Sequence, residues 1–350
     1  MENHLVIGLM SGTSLDGLDI ALCSFHYQDN NWSFKILDTK TQRYPDYWLN
    51  QLASIHNAGA EDLTRLHFEY GHFLGEQVKS FIKRTGQKPD FIASHGHTIF
   101  HRPEKEYTLQ IGDGNAIAAV TGLPVVFDFR SKDVALGGQG APLVPIGDKL
   151  LFPGYDSCIN LGGIANISYE SNNQRIAFDI CPANQVLNSL SNQLEEPFDN
   201  NGEMASEGNL NLELFERLNA LGYYESKPPK SLGKEWVDEN IYPLLNLFSI
   251  PIKDKLRTFT EHIALQITNI INANRGKVLI TGGGAYNDFL IERIKASTSC
   301  QIEIPNNELI EFKEAMVFAF LGVLRKRNEI NCLSSVTGAS RNSCSGTLSI

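Results

Sequence analysis

The stretch Gly8-Leu9-Met10-Ser11-Gly12-Thr13-Ser14-Leu15-Asp16-Gly17-Leu18-Asp19 gathers glycines, hydroxyls and carboxylates directly after an apolar run. A glycine-rich backbone lets an anion come close and aims N–H groups at it. Hydroxyls and carboxylates are the oxygen ligands that a hydrated Mg2+ accepts. Gly12, Thr13, Ser14, Leu15, Asp16, Gly17, Leu18 and Asp19 therefore form a candidate set for holding phosphates and Mg2+, with Asp16 as a metal ligand. The same residue types also build ordinary turns. Two further carboxylates stand out. Asp179 follows the apolar run Ile176-Ala177-Phe178 and precedes Pro182, a placement that suits a strand-end carboxylate projecting into a cleft or a helix-start cap for residues 183–194. Glu314 shares one face of an expected helix over 309–327 with Ile310, Val317, Leu321 and Leu324, so it is either a site carboxylate or a first-turn glutamate favoured by the helix dipole. His95, His97 and His101 alternate along an extended segment, as metal ligands can, but no acidic motif completes such a set. A structural or substrate-side role fits them better.

These residues need elements to position them, and strand-like runs alternating with helical spacing predict an α/β protein. Leu5 to Leu9 and Leu18 to Cys23 flank the first small-residue turn. Cys158 to Leu161 and Ile164 to Tyr169 flank a second, Gly162-Gly163, about one domain length further on. Each reads as a hairpin at the head of a lobe. Helices are expected over 61–83, 115–121, 287–295 and 309–327, and strands at Phe91-Ile92-Ala93, at Pro124 to Phe127 and at Lys277 to Ile280, before Gly282-Gly283-Gly284. We place lobe I at 1–128, with 333–350 packing back on it, and lobe II at 129–332. Neither a Walker A loop nor a complete Rossmann fingerprint is present, so a bound nucleotide is held another way.

Composition narrows the partners. Thirty Lys+Arg against 40 Asp+Glu give a net charge of −10, which repels a nucleic-acid backbone. With 350 residues and 42% hydrophobic content, two lobes are expected rather than one core. The six cysteines form no Cys-x-x-Cys pair and read as buried reduced thiols. The first residues lack a signal-peptide pattern and no apolar run is long enough to span a membrane, so a cytoplasmic enzyme with no membrane partner is expected.

Taken together, the first hairpin, Ser94-His95-Gly96-His97-Thr98, Asp128-Phe129-Arg130, Gly137 to Pro145, Asn160-Leu161-Gly162-Gly163, Lys230-Ser231 and Glu314 resemble the anhydro-N-acetylmuramic acid kinases, across essentially the whole chain. The resemblance implies an actin-like ATPase (ribonuclease H-like) fold, two lobes with a central ATP and substrate cleft. Gly162 and Gly163 would be the second phosphate loop and Gly282, Gly283 and Gly284 the adenosine motif. It implies an ATP- and Mg2+-dependent reaction on a small anhydro amino sugar: water opens the 1,6-anhydro ring and O6 is phosphorylated. Asp179 would then be the catalytic base and a ligand of Mg2+, and Glu314 would orient water or metal. His97, Thr98, Arg130 and Gln139 would face the substrate, Arg130 contacting its carboxylate or a phosphate unless it pairs with Asp128 or Asp133. A homodimer is implied too, although no coiled-coil stripe supports one. The chain departs from the family pattern at Cys181 and Ala183, where glycines flank Pro182, and at Leu232 in Lys230-Ser231-Leu232-Gly233. A kinase of the same fold for another anhydrosugar or hexose, or a silent ATP-binding regulator, are the alternatives.

Overall fold

The computed structural model describes residues 2–12 and 15–350, so Thr13 and Ser14 of the first hairpin lie outside the described residues. The strands are β1 (Glu2–Ser11), β2 (Leu18–Gln28), β3 (Asn31–Gln42), β4 (Phe91–Arg102), β5 (Tyr107–Ile111) and β6 (Val125–Phe127). They are followed by β7 (Ser157–Leu161), β8 (Ile164–Ser171), β9 (Gln174–Pro182), β10 (Lys277–Thr281), β11 (Gln301–Glu303) and β12 (Thr347–Ser349). The helices that bear on function are α1 (Ala60–Thr85), α2 (Val144–Leu151), α3 (Asn184–Ser191), α4 (Ile252–Asn274) and α5 (Asn307–Lys326).

The chain divides into two compact units, Met1–Phe152 with Phe312–Ile350, and Pro153–Glu311. In the first unit the sheet runs β12-β6-β4-β1-β2-β3, with β5 paired to β4. β1, β2 and β3 form an antiparallel meander, while β4 runs parallel to β1 and β6 parallel to β4. The second unit repeats the scheme in the order β11-β10-β7-β8-β9. Its antiparallel meander is β7-β8-β9, and β10 and β11 add in parallel. A three-strand meander extended in parallel from its first strand is the ribonuclease H-like arrangement, present here twice. Each unit has its own apolar core. In the first, Ile7, Leu9, Ile20 and Ile92 of the sheet meet Leu66, Leu74 and Val78 of α1. In the second, Ile159, Ile167 and Ile280 meet Phe259, Ile263 and Ile267 of α4.

The first unit extends further than the expected boundary at residue 128, through Phe152, and resumes at Phe312 rather than at 333. The glycine-rich segment is tied into it. Gln139 N–H donates to the Thr337 carbonyl at 2.8 Å, and Asp133 accepts Gly140 N–H and Thr337 Oγ1, both at 2.8 Å. α2 packs against α5 so closely that a Cβ on Gly147 would sit 2.8 Å from Val317, and a buried ion pair joins Lys313 to Asp148 at 2.7 Å. β4 is also longer than the expected Phe91-Ile92-Ala93, because it continues through His101 to Arg102 by pairing with β5.

Candidate active site

In the second unit the β7–β8 turn is as short as the sequence suggests: Leu161 pairs with Ala165 across Gly162-Gly163. The turn carbonyls point at the start of α3. Ala183 and Gln185 N–H donate to Gly163 O at 2.8 and 3.1 Å, and Asn184 N–H donates to Gly162 O at 3.1 Å. Asn184 Nδ2 also reaches Leu161 O, at 3.1 Å. The Gly282-Gly283-Gly284 loop, which follows β10, lies against the same turn. Gly282 has φ +85, and a Cβ there would meet Asn160 Oδ1 at 2.5 Å and the Leu161 carbonyl at 2.9 Å, so two backbones approach where only glycine fits. Gly163 and Gly283 remain exposed. The structure thus brings together both glycine motifs of this unit, framed by Asn160 and Asn184.

Asp179 does not cap α3, whose N-cap is Ala183 and whose first amides are taken by the turn. It lies inside β9 at a β-bulge: Cys181 pairs with Ala165 and Asp179 with Asn166, leaving Ile180 without a partner residue on β8. A bulge re-aims the neighbouring side chain. Ile180 and Cys181 are buried, whereas Asp179 keeps partial access to solvent. Its Oδ2 accepts Leu232 N–H at 2.8 Å. Burial pushes its carboxyl above the ordinary range, and the Leu232 bond opposes that rise. The Leu232 backbone was not expected to matter, since it comes from a distant loop.

In the first unit, β1 and β2 flank the first small-residue turn, in register from Ser11 paired with Leu18. Leu15 has φ +61 and donates its N–H to Gly12 O, Asp16 is exposed, and Asp19 accepts Thr41 Oγ1 at 2.6 Å. Beneath the hairpin lies a chain of buried polar groups. Ser11 Oγ meets Tyr44 OH at 2.7 Å and His97 Nδ1 at 2.9 Å, and Tyr44 OH meets Tyr70 OH at 2.6 Å. His97 is 3% exposed, and desolvation lowers its pKa to about 4, so it is neutral and supports Ser11 from within rather than facing solvent. Thr98 accepts Gln110 Nε2 at 3.2 Å, and the Gln139 side chain is exposed.

The three alternating histidines do not converge: His97 serves Ser11, His101 meets Thr108 Oγ1 at 3.1 Å, and His95 Nε2 accepts Arg130 Nε at 2.9 Å. Arg130 also donates to Gly140 O at 2.6 Å and lies over the Phe318 ring at 5.9 Å. Neither expected ion pair of Arg130 forms as a contact, because Asp128 accepts from Ser131 as a local cap and Asp133 is engaged by Gly140 and Thr337. Desolvation lowers the Arg130 pKa to about 10, with the Glu314 charge opposing, so the guanidinium stays charged at neutral pH. Glu314 does not lie on an apolar stripe. α5 is buried on all faces from Ala315 to Leu324, and Glu314 is the position just before that run whose side chain is exposed. Crowding by protein still raises its carboxyl pKa, opposed by Arg130 and Lys313.

Among the described residues no group of three or more His, Cys, Asp or Glu side chains is gathered as a metal cage. Mg2+ does not demand one, since it keeps waters and uses one or two carboxylates with phosphate oxygens; Asp179 and Asp16 are groups of that kind. No helix among the described residues is long and apolar enough to cross a membrane.

The anhydro-N-acetylmuramic acid kinase of Vibrio cholerae serotype O1 is 34% identical over 368 residues, covering 97% of this chain and 96% of that protein. Its counterpart from Shewanella denitrificans is 35% identical over 364 residues, with the same coverage of 97% and 96%. Among solved structures, component A of the (R)-2-hydroxyglutaryl-CoA dehydratase of Acidaminococcus fermentans is similar at 12% identity and a TM-score of 0.47, over 90% of this chain and 96% of that one. The family model for anhydro-N-acetylmuramic acid kinase matches residues 4–349. Doubled ribonuclease H-like sheets, a glycine turn at the head of each meander and relatives aligned from end to end lead to one conclusion: the chain belongs to the anhydro-N-acetylmuramic acid kinase family.

Proposed function

We propose that this protein uses ATP to convert anhydro-N-acetylmuramic acid to N-acetylmuramic acid 6-phosphate and ADP. Water adds its oxygen to the anomeric carbon as the C1–O6 bond breaks, and the released O6 takes the γ-phosphoryl group, with ADP leaving. The observation that carries this reading is Asp179, set at a bulge, part-exposed, accepting the Leu232 N–H and with its proton affinity raised by burial. A carboxylate poised nearer to the working pH is a better general base for water, and such a group contributes about 10²–10⁴-fold in rate.

The remaining residues divide by unit. Gly162, Gly163, Gly282, Gly283 and Gly284 present backbone to phosphate and adenosine, with Asn160 and Asn184 fixing that frame. On the first unit the hairpin from Gly12 to Asp19, with Thr13 and Ser14, takes phosphate oxygens through N–H and hydroxyl donors. Arg130, charged and held at two points, and the exposed Glu314 beside its field, suit an anionic sugar and an attacking water. Thr98 and Gln139 are substrate-side, while His97 acts through Ser11. Asp16 in the first unit and Asp179 in the second are each carboxylates that would take Mg2+ beside nucleotide phosphates, where the ion would neutralise phosphate charge. The enzyme acts as a soluble cytoplasmic protein in cell-wall sugar recycling, as a homodimer.

Release of ADP, followed with and without anhydro-N-acetylmuramic acid, tests the activity. Sugar-dependent release is expected; tight ATP binding without it would point to a regulator. Levoglucosan in parallel tests the sugar, since turnover preferring it would move the assignment to another anhydrosugar. Asp179→Asn is expected to reduce turnover by about 10²–10⁴-fold while the protein remains folded by circular dichroism.

A further inference from the structure

The assignment of Asp179 as base leaves unexplained how a residue at a bulge is kept in place, because a bulge breaks the ladder that would otherwise hold it. The loop that carries Lys230 supplies the missing contacts. Asp179 N–H donates to Lys230 O at 3.3 Å, Lys230 Nζ donates to Tyr223 O at 3.1 Å, and Tyr223 OH donates to Asp179 O at 2.6 Å. These bonds close a ring through three residues, and both backbone polar groups of Asp179 belong to it.

The ring is anchored to the core. Tyr223 lies in the turn Gly222–Glu225, whose next residue, Tyr224, donates its hydroxyl to His262 Nε2 at 2.9 Å. His262 is fully buried on α4, and its Nδ1 meets Asn219 Oδ1 at 2.7 Å, an oxygen that also accepts Gln266 Nε2 at 2.8 Å. Because Asn219 Oδ1 can only accept, Nδ1 of His262 carries the proton and Nε2 receives the Tyr224 hydroxyl. Every polar group in this relay has a defined role, which is the condition under which a buried network rigidifies its surroundings.

The charge of Lys230 packs over aromatic rings. Its ammonium lies 4.4 Å from the centre of the Tyr223 ring and 5.7 Å from that of Phe178. Among the described residues, the one side-chain hydrogen bond of the Asp179 carboxylate is from Leu232 N–H, while Lys230 Nζ donates to the Tyr223 carbonyl. A lysine paired with the base would hold it ionised and weaken it; this one fastens the backbone instead.

Resting on the reading of Asp179 as general base, we propose that Tyr223 and Lys230 are positioning residues for this reaction, a clasp on the Asp179 backbone that orients the carboxylate without pairing with it. Misplacing a catalytic group by about 1 Å costs on the order of 10²-fold in rate. The clasp therefore affects the chemical step and not the binding of either substrate.

The test is steady-state kinetics with ATP and anhydro-N-acetylmuramic acid on Tyr223→Phe, Lys230→Met, Lys230→Arg and Asp179→Asn, each with a melting curve and a pH profile. Tyr223→Phe and Lys230→Met are expected to lower kcat by about 10- to 100-fold per folded protein, with both KM values within about 3-fold. Melting temperatures should fall by no more than about 2–4 °C. The acid limb of kcat should stay where it is in the wild type, and Lys230→Arg, which keeps a cation and a donor, should recover most of kcat. Wild-type kcat in Tyr223→Phe and Lys230→Met alongside an inactive Asp179→Asn would overturn the clasp alone. A raised sugar KM with unchanged kcat would do so too, as it makes Lys230 a binding group. Full activity in Asp179→Asn would remove the base itself, and the clasp with it. Should Tyr223→Phe fail to fold, Lys230→Met decides, because it leaves the phenol in place.

Discussion

Asp179 was legible in the sequence as a strand-end carboxylate, but what distinguishes it chemically was not, and Glu314, expected on an apolar stripe, is exposed. The choice between base and helix cap at Asp179 depends on the glycine carbonyls of the β7–β8 turn, which satisfy the first amides of α3 and release the aspartate from capping. The partners of Asp179 come from Tyr223, Lys230 and Leu232, whose contacts no local pattern announces. Because burial raises its pKa, ionised Asp179 is less well accommodated in the folded protein than in the unfolded chain, and this cost is present at neutral pH and relieved as pH falls through the raised value. Asp179→Asn should therefore melt at the wild-type temperature or above it while losing turnover, a combination that differential scanning calorimetry and ADP assay read together. A clear fall in melting temperature would indicate a structural carboxylate instead. In the wild type, kcat/KM should drop on the acid side with a midpoint above the ordinary aspartate value, checked by a pH–rate profile. With Arg130 proposed to meet the sugar carboxylate, Arg130→Met should raise the sugar KM more than the ATP KM in steady-state kinetics, and it also removes a cation that opposes the rise at Glu314.

At the scale of elements, both hairpins follow from short apolar runs separated by small residues, and the helices from their apolar faces. The bulge at Ile180 is invisible to such patterns, since it depends on pairing between β8 and β9 rather than on residue type. The length of β4 was underestimated for a similar reason: the strand was expected only over Phe91-Ile92-Ala93, yet β1 and β5 both pair with its continuation at His97. Gly8 shows how an element is placed for function. A Cβ on Gly8 would sit 1.9 Å from the Ala315 carbonyl, so β1 touches the backbone of α5 one residue after Glu314. Gly8→Ala must push that helix away, and we expect about 1–3 kcal/mol of lost stability by urea unfolding together with reduced kcat. Unchanged stability would show that α5 is free to shift.

At the scale of the whole molecule, two hairpins one domain length apart were visible in the sequence, whereas the repeated sheet topology and the unit boundaries were not. The segment to Phe152 belongs to the first unit through contacts with residues 312–350, which no local reading could supply. Buried neutral histidines give both units a common acid sensitivity. Desolvation lowers His97 to about 4, His262 to about 3, and His95 well below its ordinary value. The unfolded chain then binds protons first, so the stability is fully present above about pH 6.5 and is lost as pH falls toward the folded values, by roughly 1.4 kcal/mol per pH unit for each histidine. Urea unfolding between pH 7 and pH 5 should show this slope, reduced by about one histidine's share in His262→Gln. The central claim concerns one reaction with two halves, and product analysis by mass spectrometry in ¹⁸O-water tests both. At early times the protein, ATP and anhydro-N-acetylmuramic acid should give ADP and a ring-opened 6-phosphorylated sugar carrying one ¹⁸O at the anomeric carbon and none in the phosphate. Label in phosphate with the anhydro ring intact, or a phosphorylated sugar without label, would contradict the account.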